Sequence, residues 1–158
     1  MSREIDLLLV ALDQAYDHKS WHGTNLKGSL KGLTAAEAAR RMAPGRPSIH
    51  ELVVHLAYWK YTVLRQLTNL PRGSFSLKGS NWFPRENADA VQWKADLTLL
   101  DRMQQELRAA VASMKPGELD RPSAKAKYLK RDLILGAAAH DLHHGGQIQL
   151  IKRFTLKG

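Results

Sequence analysis

The stretch Ser48-Ile49-His50-Glu51-Leu52-Val53-Val54-His55-Leu56-Ala57-Tyr58-Trp59-Lys60-Tyr61-Thr62-Val63-Leu64-Arg65-Gln66-Leu67 reads as one long helix with a marked start. Ser48 and Glu51 have the form of a capping box. The hydroxyl accepts from a free backbone N–H of the first turn, and the carboxylate reaches back to the cap's own N–H. Leu52, Leu56, Trp59, Val63 and Leu67 then recur at helical spacing and mark a buried stripe. His55 borders that stripe, one turn after Leu52 and one before Trp59. Pro71-Arg72-Gly73 stops the helix.

The same periodicity appears in three other long segments. One runs from about Ser2 to His18, with Ile5, Leu8, Leu9, Leu12 and Tyr16 inward. Another runs from about Ala88 to Met114 on Trp93, Leu97, Leu100, Leu107 and Val111, and Lys115-Pro116-Gly117 ends it. The last runs from about Asp132 to Arg153, with Leu133, Ala137, Ile148 and Ile151 inward. Lys152 and Arg153 in its final turn suit the helix dipole. Almost nothing reads as strand. Four long amphipathic helices in 158 residues predict an all-α four-helix bundle, in one domain spanning residues 1–158.

The connections are uneven. Gly23, Gly28 and Gly32 make the segment after the first helix too glycine-rich for a helix interior. Thr34-Ala35-Ala36-Glu37 is a second capping box, predicting a short helix to about Met42 before Pro44-Gly45-Arg46-Pro47. The linker between the first two long helices, about 30 residues, suits a crossover better than a tight hairpin. A loop from about Arg72 to Asn87 carries Trp82, Phe83 and Pro84.

Composition narrows the function classes. There is no cysteine, which removes disulfides, thiolate metal sites and a cysteine nucleophile. The charged start and the lack of any apolar run near the roughly 20 residues of a membrane helix predict a cytoplasmic protein without a membrane span. The net charge of +9 raises nucleic acid as a partner. Its basic residues are scattered, however. The groups Arg40, Arg41, Arg46 and Lys125, Lys127, Lys130, Arg131 lack the interleaved aromatics of a single-strand groove. A solvated basic surface is the plainer reading.

Histidine placement is the chemical signal. His140 and His144 stand at i and i+4 on the last helix, in line with Ala137 and Ile148. That spacing puts two imidazoles on one face, about 6 Å apart along the axis, where they can converge on one ion. His55 on a facing helix offers a third nitrogen ligand. Three protein ligands with one open position is the usual catalytic arrangement. A single inward histidine is more often a hydrogen-bonded core residue. Three of them are harder to accommodate without an ion, because buried unpaired nitrogens cost free energy. His140-Asp141-Leu142-His143-His144 also resembles the zincin pattern H-E-x-x-H. Asp141 is a carbon shorter than the Glu a metalloprotease uses as base, and no further zincin element follows. Asp141 is instead read as a solvent-side residue or an outer partner of the site.

Longer motifs carry a family resemblance. His140-Asp141-Leu142-His143-His144-Gly145-Gly146-Gln147-Ile148, with Leu150 and Arg153 after it, resembles the C-terminal signature of the DinB/YfiT-like superfamily. Ser48 to Leu56, with Trp59, resembles that family's second-helix signature. Trp21-His22-Gly23 through Leu33-Thr34-Ala35-Ala36-Glu37-Ala38-Ala39 is similar to its linker. The resemblance spans most of the chain. It implies a four-helix bundle with a long crossover and one divalent metal ion on His55, His140 and His144. Zinc or nickel is the expected metal, with iron and manganese as alternatives. It further implies a homodimer and a small-molecule substrate. Some members transfer or isomerise with low-molecular-weight thiols, others resemble hydrolases, and many have no known activity. His143 departs from the pattern, since that position is more usually an aromatic or other non-ligand residue. Only His144 has the family's spacing and the Gly-Gly-Gln-Ile that follows. His22 and His50 read as surface or linker histidines, with His22 beside Trp21 near the open side of the site.

A three-histidine site leaves a bound ion its full charge, so it can polarise a carbonyl or activate a water or thiol. Proton transfer needs a partner within hydrogen-bond reach. The candidates by position are Asp141, His143, Gln147 and Tyr58. Gln147, one turn beyond His144, can equally orient that histidine. A non-catalytic metal-binding or stress-response module is the alternative function, and a basic nucleic-acid binder the more remote one.

Overall fold

The computed structural model describes residues 3–85, 89–125 and 127–156. Four long helices carry the fold: α1 (Arg3–Tyr16), α4 (Ile49–Thr68), α5 (Ala90–Ala112) and α6 (Lys130–Thr155). Two short helices, α2 (Leu26–Leu30) and α3 (Ala35–Ala38), lie between α1 and α4, and a 3₁₀ turn at Pro116–Glu118 follows α5. α4 packs on α5 and α6, and α1 packs on the same two helices. The long helices therefore alternate round the bundle as α1, α5, α4, α6. The chain from α1 to α4 crosses that diagonal, and α2 rests on α6 along the way. This is the predicted all-α bundle with its crossover. Among the described residues, no helix is long and apolar enough to cross a membrane.

Both expected capping boxes form. Ser48 Oγ accepts from the Glu51 N–H at 3.2 Å, and the Glu51 carboxylate accepts from the Ser48 N–H at 3.0 Å. Thr34 and Glu37 repeat the arrangement at α3. The predicted ends are close but generous. The α1 prediction begins at Ser2 and the α5 prediction at Ala88, and both residues lie outside the described residues, as does the end of the 72–87 loop. Asp89 caps α5 by accepting from the Gln92 N–H at 2.8 Å. α3 stops at Ala38, short of Met42.

The glycine reading of the linker is corrected. Residues Leu26–Leu30 form a helix despite Gly28. Asn25 Oδ1 accepts from the Gly28 N–H at 2.8 Å, Leu26 and Leu30 insert into the core, and Lys152 Nζ donates to the Ser29 carbonyl at 2.9 Å. Burial and capping outweigh the roughly 1 kcal/mol that glycine costs a helix.

α4 is the central element. From Ile49 to Leu67, only Tyr58, Trp59 and Arg65 escape burial. Trp59, predicted inside the stripe, is 38% exposed. His50, read as a surface histidine, is fully buried. Its Nε2 lies 2.8 Å from Asp96 Oδ2 on α5, and Arg85 Nε donates to the same oxygen at 2.6 Å. Arg85 thereby ties the loop after α4 to the α4/α5 seam.

The apolar core falls into two clusters. One joins the N-terminal half of α4 to α2, Trp93, Leu100 and Ile148; the other joins α1 to Val63, Leu67, Leu107 and Ile134. Between them lies a polar layer. Lys60, almost fully buried, donates to Asp141 Oδ2 at 2.5 Å and to Gln104 Oε1 at 2.7 Å. Its ammonium also stands 5.0 Å from the centre of the Tyr16 ring. The Tyr16 hydroxyl donates to Asp101, whose carboxylate also accepts from Lys27 Nζ at 2.7 Å. Burial and the Asp101 carboxylate push the Tyr16 hydroxyl far above the usual phenol range.

A candidate three-histidine metal centre

α4 contributes His55 and α6 contributes His140 and His144. One nitrogen from each lies within 4.8 Å of the other two. The ring centres are 5.2 Å apart for His55 and His140, 4.9 Å for His55 and His144, and 4.4 Å for His140 and His144. The i, i+4 spacing on α6 sets the last of these. The other two depend on the packing of α6 against α4, where Lys60 and Asp141 meet one residue from His140.

Hydrogen bonds orient two of the rings. His55 Nδ1 donates to the Asn81 carbonyl at 2.9 Å, and His144 Nδ1 donates to Gln147 Oε1 at 2.7 Å. Each bond leaves Nε2 as the free lone pair, the tautomer a metal ligand needs. His140 Nε2 and His144 Nε2 face each other at 3.0 Å. Tetrahedral imidazole ligands at 2.0–2.1 Å from an ion stand about 3.3 Å from one another. The cluster therefore fits a divalent ion by donor type, by tautomer and, after a small adjustment, by spacing.

The rings are also kept neutral. Burial lowers His140 to about 3, aided by the neighbouring His144 and His55 rings and by the Lys60 cation. Burial lowers His144 to about 4 against the opposing Gln147 hydrogen bond. Burial lowers His55 as well, opposed by its bond to the Asn81 carbonyl.

The loop after α4 walls the centre. Trp82 stacks on the His55 ring with centres 4.1 Å apart and planes 14° from parallel. Trp59 Nε1 donates to Asn81 Oδ1 at 2.9 Å, which explains its position at the rim and not in the core. Asn81 thus serves His55 with its backbone and Trp59 with its side chain. It does so at φ 63°, a left-handed conformation that asparagine tolerates better than most residues. Neither Asn81 nor Trp82 emerged as a site residue from sequence. The available signal was an aromatic run, Trp82-Phe83, in a loop with no periodicity of its own.

The other sequence candidates fare differently. His143 is exposed, its ring centre 4.9 Å from that of His144, and it is not among the three converging nitrogens. Gln147 orients His144. Tyr58 lines the cavity beside the centre. Asp141 is not on the solvent side: it is 1% exposed and engaged by Lys60. Burial raises its carboxyl from the usual range, opposed by the Lys60 ammonium. Trp21 and His22 are exposed ahead of α2 and make no contact with the cluster among the described residues. The cavity, about 1320 Å³, runs from His140 and Trp59 between α4, the 72–80 loop and the start of α6.

Residues 20–148 match the family model of the DinB superfamily. No curated protein and no solved structure matches the chain. The matched span includes the capped start of α4 with His55, the crossover, and α6 through both of its inward histidines. The chain belongs to the DinB superfamily.

Proposed function

We propose that the centre holds one divalent metal ion, zinc or nickel, on Nε2 of His55, His140 and His144, and that the protein is a metal-dependent enzyme acting on a small molecule by thiol transfer or hydrolysis. The observation that carries this reading is the convergence of three neutral imidazoles, two of them oriented through Nδ1, with His140 also lining the adjacent cavity. A bound ion supplies Lewis acidity there, polarising an electrophile and lowering the pKa of a water or thiol nucleophile.

The chain's own residues divide the remaining work. Trp82 and Trp59 cover His55 and exclude water from that side. Tyr58 in the cavity wall and His143 beside His144 are the groups placed to move a proton. Asp141 holds α6 in place and is engaged by Lys60. The nucleophile of a transfer reaction would be a low-molecular-weight thiol, since the chain has no cysteine. A cytoplasmic setting and a homodimer belong to the same reading.

A second reading, a non-catalytic metal-binding module, is favoured by one observation. Asp132 is the only carboxylate among the described residues lining the cavity, and Lys60 engages Asp141. Elemental analysis and turnover assays separate the readings. The purified protein is expected to carry about one metal ion per chain and the His55/His140/His144 triple alanine variant almost none. Equal metal in both would overturn the site. Turnover across a panel of thiols, esters and amides, lost on chelation and in His144→Ala, supports the enzyme. Metal without turnover supports the module.

Two further outcomes follow from the geometry. Gln147→Ala is expected to weaken zinc binding about 10–100-fold with little change in fold, because His144 loses the acceptor that sets its tautomer. A competition titration against a chelator of known affinity measures this, and an unchanged affinity would remove Gln147 from the site. The second outcome concerns pH. An imidazole must be neutral to bind metal, and His140 and His144 lie at about 3 and about 4 instead of 6.5. Zinc affinity should therefore fall less than about tenfold between about pH 7.5 and about pH 5.5. Three unshifted histidines would lose about a thousandfold over the same interval. Metal-free protein should lose stability as pH falls from 6.5 towards 4, because the unfolded chain takes up protons that the folded rings still refuse.

A further inference from the structure

The cavity beside the histidine centre has a charge pattern that the metal reading does not use. Arg65, Arg72, Lys78, Lys125 and Lys127 all line it. Among the described residues, none of these five forms an ion pair with a carboxylate. Lys127 Nζ stands 5.3 Å from the centre of the Tyr128 ring. Asp132, the one carboxylate in the described lining, has Arg131 Nε at 3.8 Å. Outside the cavity some cations are matched, Arg41 with Glu51, Arg85 with Asp96 and Arg108 with Asp13, while others such as Lys31, Lys94 and Arg153 are exposed; Lys60, the sixth cation of the lining, is matched with Asp141. The cations come from three separate stretches, namely α4, the loop after it and the segment before α6. The fold therefore assembles this basic lining. The sequence showed it only as scattered charge.

Part of the remaining wall is aromatic. Tyr58, Trp59, Tyr61, Phe75 and Tyr128 line the same space. A cavity of about 1320 Å³ exceeds the roughly 300–1,000 Å³ of most small-molecule sites, so it has room for an organic body as well as an acidic group. Cations lining a cleft with low-dielectric walls concentrate small anions in it. A concave cavity of this kind does not match the groove that a nucleic-acid backbone would follow.

We propose that this cavity binds a small organic anion, an aromatic or apolar body carrying a carboxylate or phosphate, and that this is the substrate class of the adjacent centre. The acidic group sits among Arg72, Lys125 and Lys127, and the body lies along the aromatic wall towards His140. The ligand's role as substrate rests on the metal-enzyme reading; its binding does not.

The test uses three matched probes: 1-naphthyl phosphate, 1-naphthoate and the uncharged 1-naphthalenemethanol, each titrated calorimetrically at low and high salt. At low salt at least one anion should bind about tenfold or more tighter than the alcohol, with the gap narrowing as salt screens the cations. Whichever anion shows the larger gap identifies the acidic group. An Arg72→Gln/Lys125→Gln/Lys127→Gln variant, altered only at exposed positions, should lose that preference and keep its weak affinity for the alcohol. A Lys31→Gln/Lys94→Gln/Arg153→Gln variant makes the same charge change outside the cavity and should retain it. Equal affinity for all three probes in the unaltered protein would overturn the proposal. So would equal losses in the two variants, which would mark the effect as net charge alone. The preference should persist in the His55/His140/His144 triple alanine variant. Failure of the metal reading, seen in elemental analysis, therefore stays distinct from failure of the anion site.

Discussion

Asp141→Ala is expected to destabilise the fold by about 3–5 kcal/mol, the usual cost of leaving one partner of a buried ion pair unpaired. Lys60 and Asp141 are 2% and 1% exposed at their side chains and meet at 2.5 Å between the two apolar clusters. Without the carboxylate, the ammonium keeps Gln104 Oε1 and the face of Tyr16 and has no counter-charge. Replacing both partners by apolar residues, as in Lys60→Met/Asp141→Leu, should recover most of the loss, because no charge is then buried. Urea unfolding of the two single variants and the double completes the cycle. A loss below about 1 kcal/mol, or single losses that merely add, would mean that the pair is not coupled. Asp141 Oδ1 has no hydrogen-bond partner among the described residues, so the layer is held chiefly by the Lys60 contact. Disturbing it should also shift α6 against α4, and metal affinity should fall together with stability.

The second large effect separates two adjacent histidines. His144→Ala should lower zinc affinity by more than about a hundredfold, beyond what loss of an outer partner such as Gln147 costs. His143→Ala should change it by less than about threefold, since its exposed ring contributes none of the three converging nitrogens. Stability reports the same contrast. Zinc at about a hundred times its dissociation constant adds about 2.7 kcal/mol to the native state. That increment should survive in His143→Ala and vanish in His144→Ala. The reverse pattern would move the third ligand one residue along α6 and require its turn to rotate.

Much of this molecule follows from local pattern. Caps, stops and the 3.6-residue period act within a few residues of one another. The four long helices, the Ser48–Glu51 box and the pairing of His140 with His144 are therefore visible in the chain as written. The crossover follows from linker length. α2 does not, because Gly28 weakens the local signal and the helix is held by Leu26 and Leu30 in a distant core and by Lys152 from α6.

What only the tertiary structure decided are the meetings between distant segments. His50 and Asp141 look like solvent-side polar residues in their own helices, yet each is buried because Asp96 and Lys60 stand opposite. Asn81, in a loop without periodicity, reaches His55 and Trp59 at once. The sequence by itself determined the helices and the two histidines that share α6. His55 was legible too, from its place beside the α4 stripe and from the family resemblance, but its convergence with the α6 pair, the loop that orients it and the basic cavity depend on how α4, α5 and α6 pack. Such contacts arise from burial and charge pairing across the bundle, and spacing along one helix carries no record of them.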